Sequence, residues 1–201
     1  MKIRTGFVSN SSSSSFVVAF PRQPKSVDEV KEMLFEKGQH DFPSPWNYND
    51  EYVFWPVEQV AGTVWNDIQE NGEAIEQDMI ESISHGWFNA YENLPGHVES
   101  YASFDRALSA SDKKFKDMEK EAEDAGGYKT EKGRKLYERA WSEREKENEK
   151  RAKAIFEKFK KDNPDAVFYV FGYSDNDGEF FAAMEHGKVF RRLKHIQTSY
   201  H

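Results

Sequence analysis

Short apolar runs cluster at the two ends of the chain, and long polar stretches lie between them. Phe16 to Phe20, FVVAF, is a continuous β-branched and aromatic run closed by Pro21. Its length and residue types predict a buried strand. Ser26-Val27-Asp28-Glu29 is a capping box, so a helix is expected to open there, with Val30, Met33 and Leu34 as its apolar stripe and Gly38 as its stop. Residues 39–62 predict irregular structure, because DFPSPWNYND carries two prolines; EYVFWPV is expected as a short edge strand closed by Pro56. From Thr63 to Ser84, Val64, Trp65, Ile68, Ile75, Met79, Ile80 and Ile83 recur at helical spacing. Asn71-Gly72 is a weak point where that helix can split, and Gly86, beside His85, is its expected stop.

Residues 109–163 change character. They are charge-dense and helix-forming, and Ala125-Gly126-Gly127 interrupts them. The pattern predicts two helices, about 110–124 and 131–161, paired as a hairpin. The second has apolar clusters near each end, while SEREKENEKR between them is polar on every face, as expected of a solvated helix held at its ends. After Asn163-Pro164, AVFYVFGYS and EFFAAMEHG read as strands joined by a DNDG hairpin turn, and KVFRRL as a third short strand. The expected architecture is therefore α+β: a small, mainly antiparallel sheet built from both chain ends and packed by helices. The 201 residues are expected to form one domain, with 109–163 as a charged helical hairpin inserted in it.

Composition sharpens this picture. Sixteen Phe, nine Tyr and five Trp stand against five Leu and seven Ile, so the core is expected to be largely aromatic. Cysteine is absent, which excludes disulfides and thiolate metal sites and suits a cytoplasmic setting. The start, MKIRTGF, has no apolar segment of a secretory signal, and no apolar run reaches the roughly 20 residues of a membrane span. Net charge is −8, unevenly spread. Residues 26–105 hold 17 acids and two lysines, whereas 109–163 hold 17 basic and 14 acidic residues. An acidic face repels nucleic acid and attracts basic partners, although acids also simply solvate helix surfaces.

Candidate chemistry sits at the termini. No phosphate-loop, dinucleotide-binding, nucleophile-elbow or zinc-protease motif is present, and no cofactor is expected. The serine run Ser11, Ser12, Ser13, Ser14 and Ser15 is framed by apolar residues, which favours an anchored loop over a flexible linker. Its hydroxyls and N–H groups could bind an anion, or accept a modification beside Lys2 and Arg4. His186, His195 and His201 are the candidates for proton transfer. Asp175 and Asp177 offer hard ligands for a cation, but Asp-Asn-Asp-Gly serves a tight turn equally well, and the turn reading is preferred.

FVSNSSSSSF at 7–16, together with Glu185, His186, Gly187, Val189, Phe190, His195, Ile196, Ser199 and His201, resembles a signature of small bacteriophage and bacterial proteins. The likeness covers about the first 20 and last 30 residues. It implies a phage or phage-derived origin, and that the two ends form one structural unit around a variable middle; it implies no mechanism. Two functions follow as expectations. One is a non-enzymatic binding protein that docks a host or phage protein through the acidic face. The other is an enzyme or ligand-binding protein in which the serine run and the C-terminal histidines handle a phosphate or nucleotide.

Overall fold

The computed structural model describes residues 13–48, 51–84 and 113–199. The fold is α+β. Three strands, β1 (Ser13–Phe20), β4 (Val167–Ser174) and β5 (Lys194–Ser199), form an antiparallel sheet in the order β4-β1-β5. Between β1 and β4 come α1 (Val27–Leu34), the hairpin strands β2 (Asp41–Tyr48) and β3 (Glu51–Pro56), α2 (Val57–Asn71), α3 (Glu76–Ser84), α4 (113–124) and α5 (Glu131–Asp162). The helix α6 (Glu179–His186) links β4 to β5.

From Phe16 to Phe20 the central strand is apolar because both of its faces are covered. Phe16, Val18 and Phe20 join Tyr169, Phe171 and Tyr173 of β4 in a core closed by α1, α2 and the Ala183-Met184 segment of α6. Val17 and Ala19 point the other way, into a second core with Met79, Ile80 and Ile83 of α3 and Ala152, Phe156 and Phe159 of α5. Burial on both sides removes the polar alternation that one solvated face would impose. The aromatic core expected from composition is present: Phe16 meets Phe190 edge-on at 5.3 Å, and Phe20 meets Tyr169 likewise at 5.3 Å.

Several sequence expectations are corrected. The serine run is no loop before the strand over its last three residues, because β1 begins at Ser13; Ser11 and Ser12 lie outside the described residues. EFFAAMEH is the helix α6, not a strand, since Glu, Ala and Met are strong helix formers and the DNDG segment is a 3-10 turn leading into it. KVFRRL is not a strand either; the third strand of the sheet follows it as β5. Residues 41–48 form the strand β2 where irregular structure was expected, with a bulge between Pro43 and Asn47 that absorbs the prolines, and they pair with β3 at 51–56, where the edge strand was expected. Helix α2 starts at Val57, well before Thr63, and the anticipated split falls at Gly72, whose φ of 71° few other residues adopt. Helix α1 ends at Leu34, four residues before Gly38, and Ser26 caps it by accepting the Glu29 N–H. Glu29 does not return the bond to Ser26 but accepts from the Lys25 N–H. The expected stop at His85 and Gly86 lies outside the described residues.

Helices α4 and α5 pair at the expected glycine break. Gly126 and Gly127 both take positive φ, and the turn folds back onto α5 so closely that a Cβ on Gly133 would lie 2.1 Å from the Gly127 carbonyl oxygen. Phe115, Ala122 and Ala140 are buried at this end of the hairpin. The polar middle carries ion pairs, with Glu143 meeting both Lys114 and Arg139, and Arg151 meeting Glu147.

A half-buried acid beside the core has a perturbed titration. Tyr173 on β4 donates its hydroxyl to Asp67 Oδ2 of α2 at 3.0 Å. Burial pushes the Asp67 carboxyl up to about 6, against the lowering effect of the Tyr173 bond, and the Glu70 charge adds to the rise. A pKa raised on folding stabilises the fold at pH below the unfolded value, and that contribution is lost as pH rises through about 6. Asp67→Asn, which keeps an acceptor for Tyr173, should therefore raise stability at pH 7.5 by about 1–3 kcal/mol, with the gain shrinking toward pH 4. Urea melts of both proteins at the two pH values check this; a pH-independent difference would contradict it.

Candidate functional site

The serine end of β1 is where distant parts of the chain converge. Ser13 pairs with Ser174 and Ser14 with Tyr173, so β4 ends beside the serines. The Ser174 hydroxyl accepts the Asn176 N–H and opens the turn Asp175–Asp177. Gly178, at φ 106°, then reverses the chain into α6. Seven residues later, Glu185 has returned to the point where β4 ended. Gly187 closes the helix in a space with no room for a side chain, since a Cβ there would meet the Phe42 ring at 2.6 Å.

Glu185 is 1% exposed, and its carboxylate is the hub of the cluster. Oε1 accepts the Ser14 hydroxyl at 3.1 Å, and Oε2 accepts the Asp175 N–H at 2.9 Å. His186 Nε2 lies 3.4 Å from Oε2. Gln197 of β5 donates to the Ser14 hydroxyl oxygen at 3.3 Å and to the Glu185 carbonyl at 3.4 Å. A buried carboxylate needs such donors, because desolvation without them is prohibitive. One strand on each side, a turn and a helix are thereby joined at one acid.

This geometry changes the chemistry that the serines can do. Ser14, itself 2% exposed, donates a hydrogen bond to the Glu185 carboxylate, and a carboxylate in that position repels a bare phosphate. The same charge attracts a cation. Asp175, Glu185 and His186 each offer a ligand atom, and these atoms lie within 4.8 Å of one another. Of the two aspartates proposed as hard ligands, Asp175 belongs to this group, whereas Asp177 sits exposed in the turn and does not.

The other candidates are placed differently. Ser15 faces the opposite side of the sheet, where its hydroxyl meets that of Ser82 on α3, and Thr198 donates to the Ser82 carbonyl. Ser13 starts the strand opposite Ser174. His195 is buried on β5 opposite Val18, between the rings of Phe16 and Phe190, and donates from Nδ1 to the Leu193 carbonyl at 2.9 Å. Burial holds its pKa below the usual imidazole range despite bonds to the Leu193 and Phe190 carbonyls, so at neutral pH it is an uncharged core residue. Ser11, Ser12 and His201 lie outside the described residues. Sequence reasoning missed Gln197, whose signal would have been its two-residue spacing from His195 once β5 was placed at residues 194–199.

The hub makes a stability prediction. Glu185→Ala should destabilise by about 2–4 kcal/mol, because it strands the Ser14 hydroxyl and the Asp175 N–H in a buried site. Ser14→Ala should lose less, about 1 kcal/mol, and the two losses should not add in the double variant. Chemical denaturation of the three proteins measures this, and strictly additive losses would show that the two groups are not coupled.

Comparison of the chain with protein-family models, with curated proteins and with solved structures returns no match in any of the three.

Proposed function

We propose that the chain is a ligand-binding protein whose site is the cluster at the serine end of the sheet, and that the site takes a divalent transition-metal cation through Asp175, Glu185 and His186. The observation that carries this reading is the approach of three potential ligand atoms to within 4.8 Å. The imidazole favours Zn²⁺ over the all-oxygen preferences of Mg²⁺ and Ca²⁺, and the two carboxylates also suit Mn²⁺. A bound cation would also give a phosphate or nucleotide the positive anchor that the carboxylates deny it. This is the ligand class to which the serine run first pointed.

Calorimetric titration with Zn²⁺ and Mn²⁺ tests the reading. Saturable binding is expected, lost in Asp175→Asn and His186→Ala. Asp175→Asn is isosteric and leaves the Asp175 N–H bond to Glu185 in place, so this variant should keep the melting temperature of the parent protein without metal. Inorganic phosphate should bind only after the metal. No saturable binding by the parent protein, or unchanged binding by both variants, would refute the proposal.

A second reading, docking of a host or phage protein through an acidic face, draws support from α2, α3 and the turn between them, which expose Glu58, Glu70, Glu73, Glu76 and Glu81. Glu58 and Glu76 are paired with Lys31 and Lys160. On this reading, a basic peptide should bind with a salt-dependent affinity that Glu70→Lys and Glu73→Lys weaken, while duplex DNA stays unbound at moderate salt. Tight duplex binding would overturn it. The described residues contain no helix long and apolar enough to cross a membrane.

A further inference from the structure

The three-stranded sheet has one unprotected edge. β4 pairs residue for residue with β1 from Val167 to Ser174, without a bulge, and it carries no proline and no charged residue. Those are the usual devices that keep an edge strand from pairing further. The other edge strands have them: β5 is shorter and opens on Lys194, and the hairpin strands β2 and β3 carry Pro43, Pro45 and Pro56. The Phe168 carbonyl of β4 points away from β1, since it accepts the Ala74 N–H at 3.0 Å. Outward groups recur at every second residue of a strand, so the N–H and C=O of Val170 and Gly172 face the same way. They have no backbone partner on that side among the described residues. Gly172 is exposed, and a Cβ placed on it would meet nothing within 4 Å, so another backbone has room to approach.

The two sides of this edge differ in charge. Along one side runs the C-terminal half of α2 and the turn after it. Asp67 accepts the Tyr173 hydroxyl at 3.0 Å. Glu73 lies beside Tyr169, whose hydroxyl is held above its usual range by burial and by the Glu73 charge. Glu70 is close enough to Asp67 to add to the rise in its pKa. Asp67, Glu70 and Glu73 thus form a row beside β4, and none of them meets a cation in an ion pair among the described residues. Residues 41–84 and 164–187, which supply α2, α3, β4 and α6, contain no Lys or Arg. The cations in and before α1 are engaged elsewhere, Arg22 and Lys25 at Glu29 and Lys31 at Glu58. On the other side of the edge lies α5, where Val170 and Ile155 pack against the same core. Residues 144–162 of α5 hold eight basic and five acidic residues, with Lys160 paired to Glu76 and Arg151 to Glu147. A cation is therefore favoured on the α2 side alone, and an apolar group suits the α5 side.

An extended segment that alternates between the two matches both sides, because successive side chains of a strand point to opposite faces. A second copy of the chain does not match. Pairing β4 with its twin would set two rows of acids against each other, and β4 has no cation to offer them.

We infer that β4 accepts an added antiparallel strand from a partner protein: the strand bonds to the backbone of Val170 and Gly172, and its side chains alternate between cations toward Asp67, Glu70 and Glu73 and apolar groups toward α5. This rests on the acidic-face reading above and gives it a binding mode. Fluorescence polarisation on the full chain tests it with a labelled peptide of alternating lysine and valine, as long as β4. Antiparallel addition turns the valine N–H groups toward β4 and the lysine N–H groups away. N-methylation of the valines should therefore weaken binding about tenfold or more, whereas N-methylation of the lysines should leave it unchanged. Hydrogen exchange at the Val170 and Gly172 amides, fast in the free protein, should slow when the unmodified peptide binds. Equal, salt-dependent binding of the two methylated peptides would overturn strand addition and leave the acidic-face reading standing, whereas no binding of the unmodified peptide would sink both. A Gly172 amide already protected in the free protein would also overturn the inference, since the edge would then be covered.

Discussion

The whole arrangement depends on β1 being buried on both faces. A strand with one wet face can be satisfied by one layer of helices, but β1 sets Phe16, Val18 and Phe20 against one core and Val17 and Ala19 against another. Helices α1, α2 and α6 must therefore cover one side, and α3 and α5 the other. Neighbouring strands must take up the N–H and C=O groups along both of its edges, since buried backbone polar groups demand partners. β4 and β5 do so, and both come from the far end of the chain.

That constraint also builds the polar cluster. Pairing of β1 with β4 and β5 brings Ser14 beside Tyr173 and Ser199 in register, and places Gln197 two residues along β5. The short route from β4 through the 175–177 turn into α6 leaves Glu185 only one place to go. Its carboxylate then supplies the acceptors that the serine hydroxyl and the Asp175 N–H require. Structural satisfaction and ligand chemistry draw on the same oxygens, so a bound cation would compete with hydrogen bonds that hold the sheet end together.

The legible parts of the fold were those in which a single physical cause wrote the sequence. Two-sided burial made FVVAF and the 167–174 segment unmistakably β-type, and paired glycines marked the hairpin break between α4 and α5. Helix α6 was illegible because eight mostly apolar residues are too few for a period to separate helix from strand. The segment before it fits a hairpin turn and a helix entry equally well. β2 was hidden by its prolines, which an edge strand with a bulge tolerates. The candidate site was half legible for the same reason. Ser14, Asp175, Glu185 and His186 were all in view as residue types, but their meeting depends on α6 being a helix. Gln197 could not be placed while β5 was assigned to the residues before it.

The separation between β1 and its partners bears on the order of events during synthesis. Ser14 and Glu185 are 171 positions apart, so neither sheet ladder on β1 can begin to close until most of the chain has been made. The helical hairpin, by contrast, needs only local contacts and can form as soon as it emerges. Until then, β1 is an apolar strand with both edges open, the kind of segment on which nascent chains aggregate. The serines at its start and Pro21 at its end place polar and non-pairing residues on either side of that exposed run.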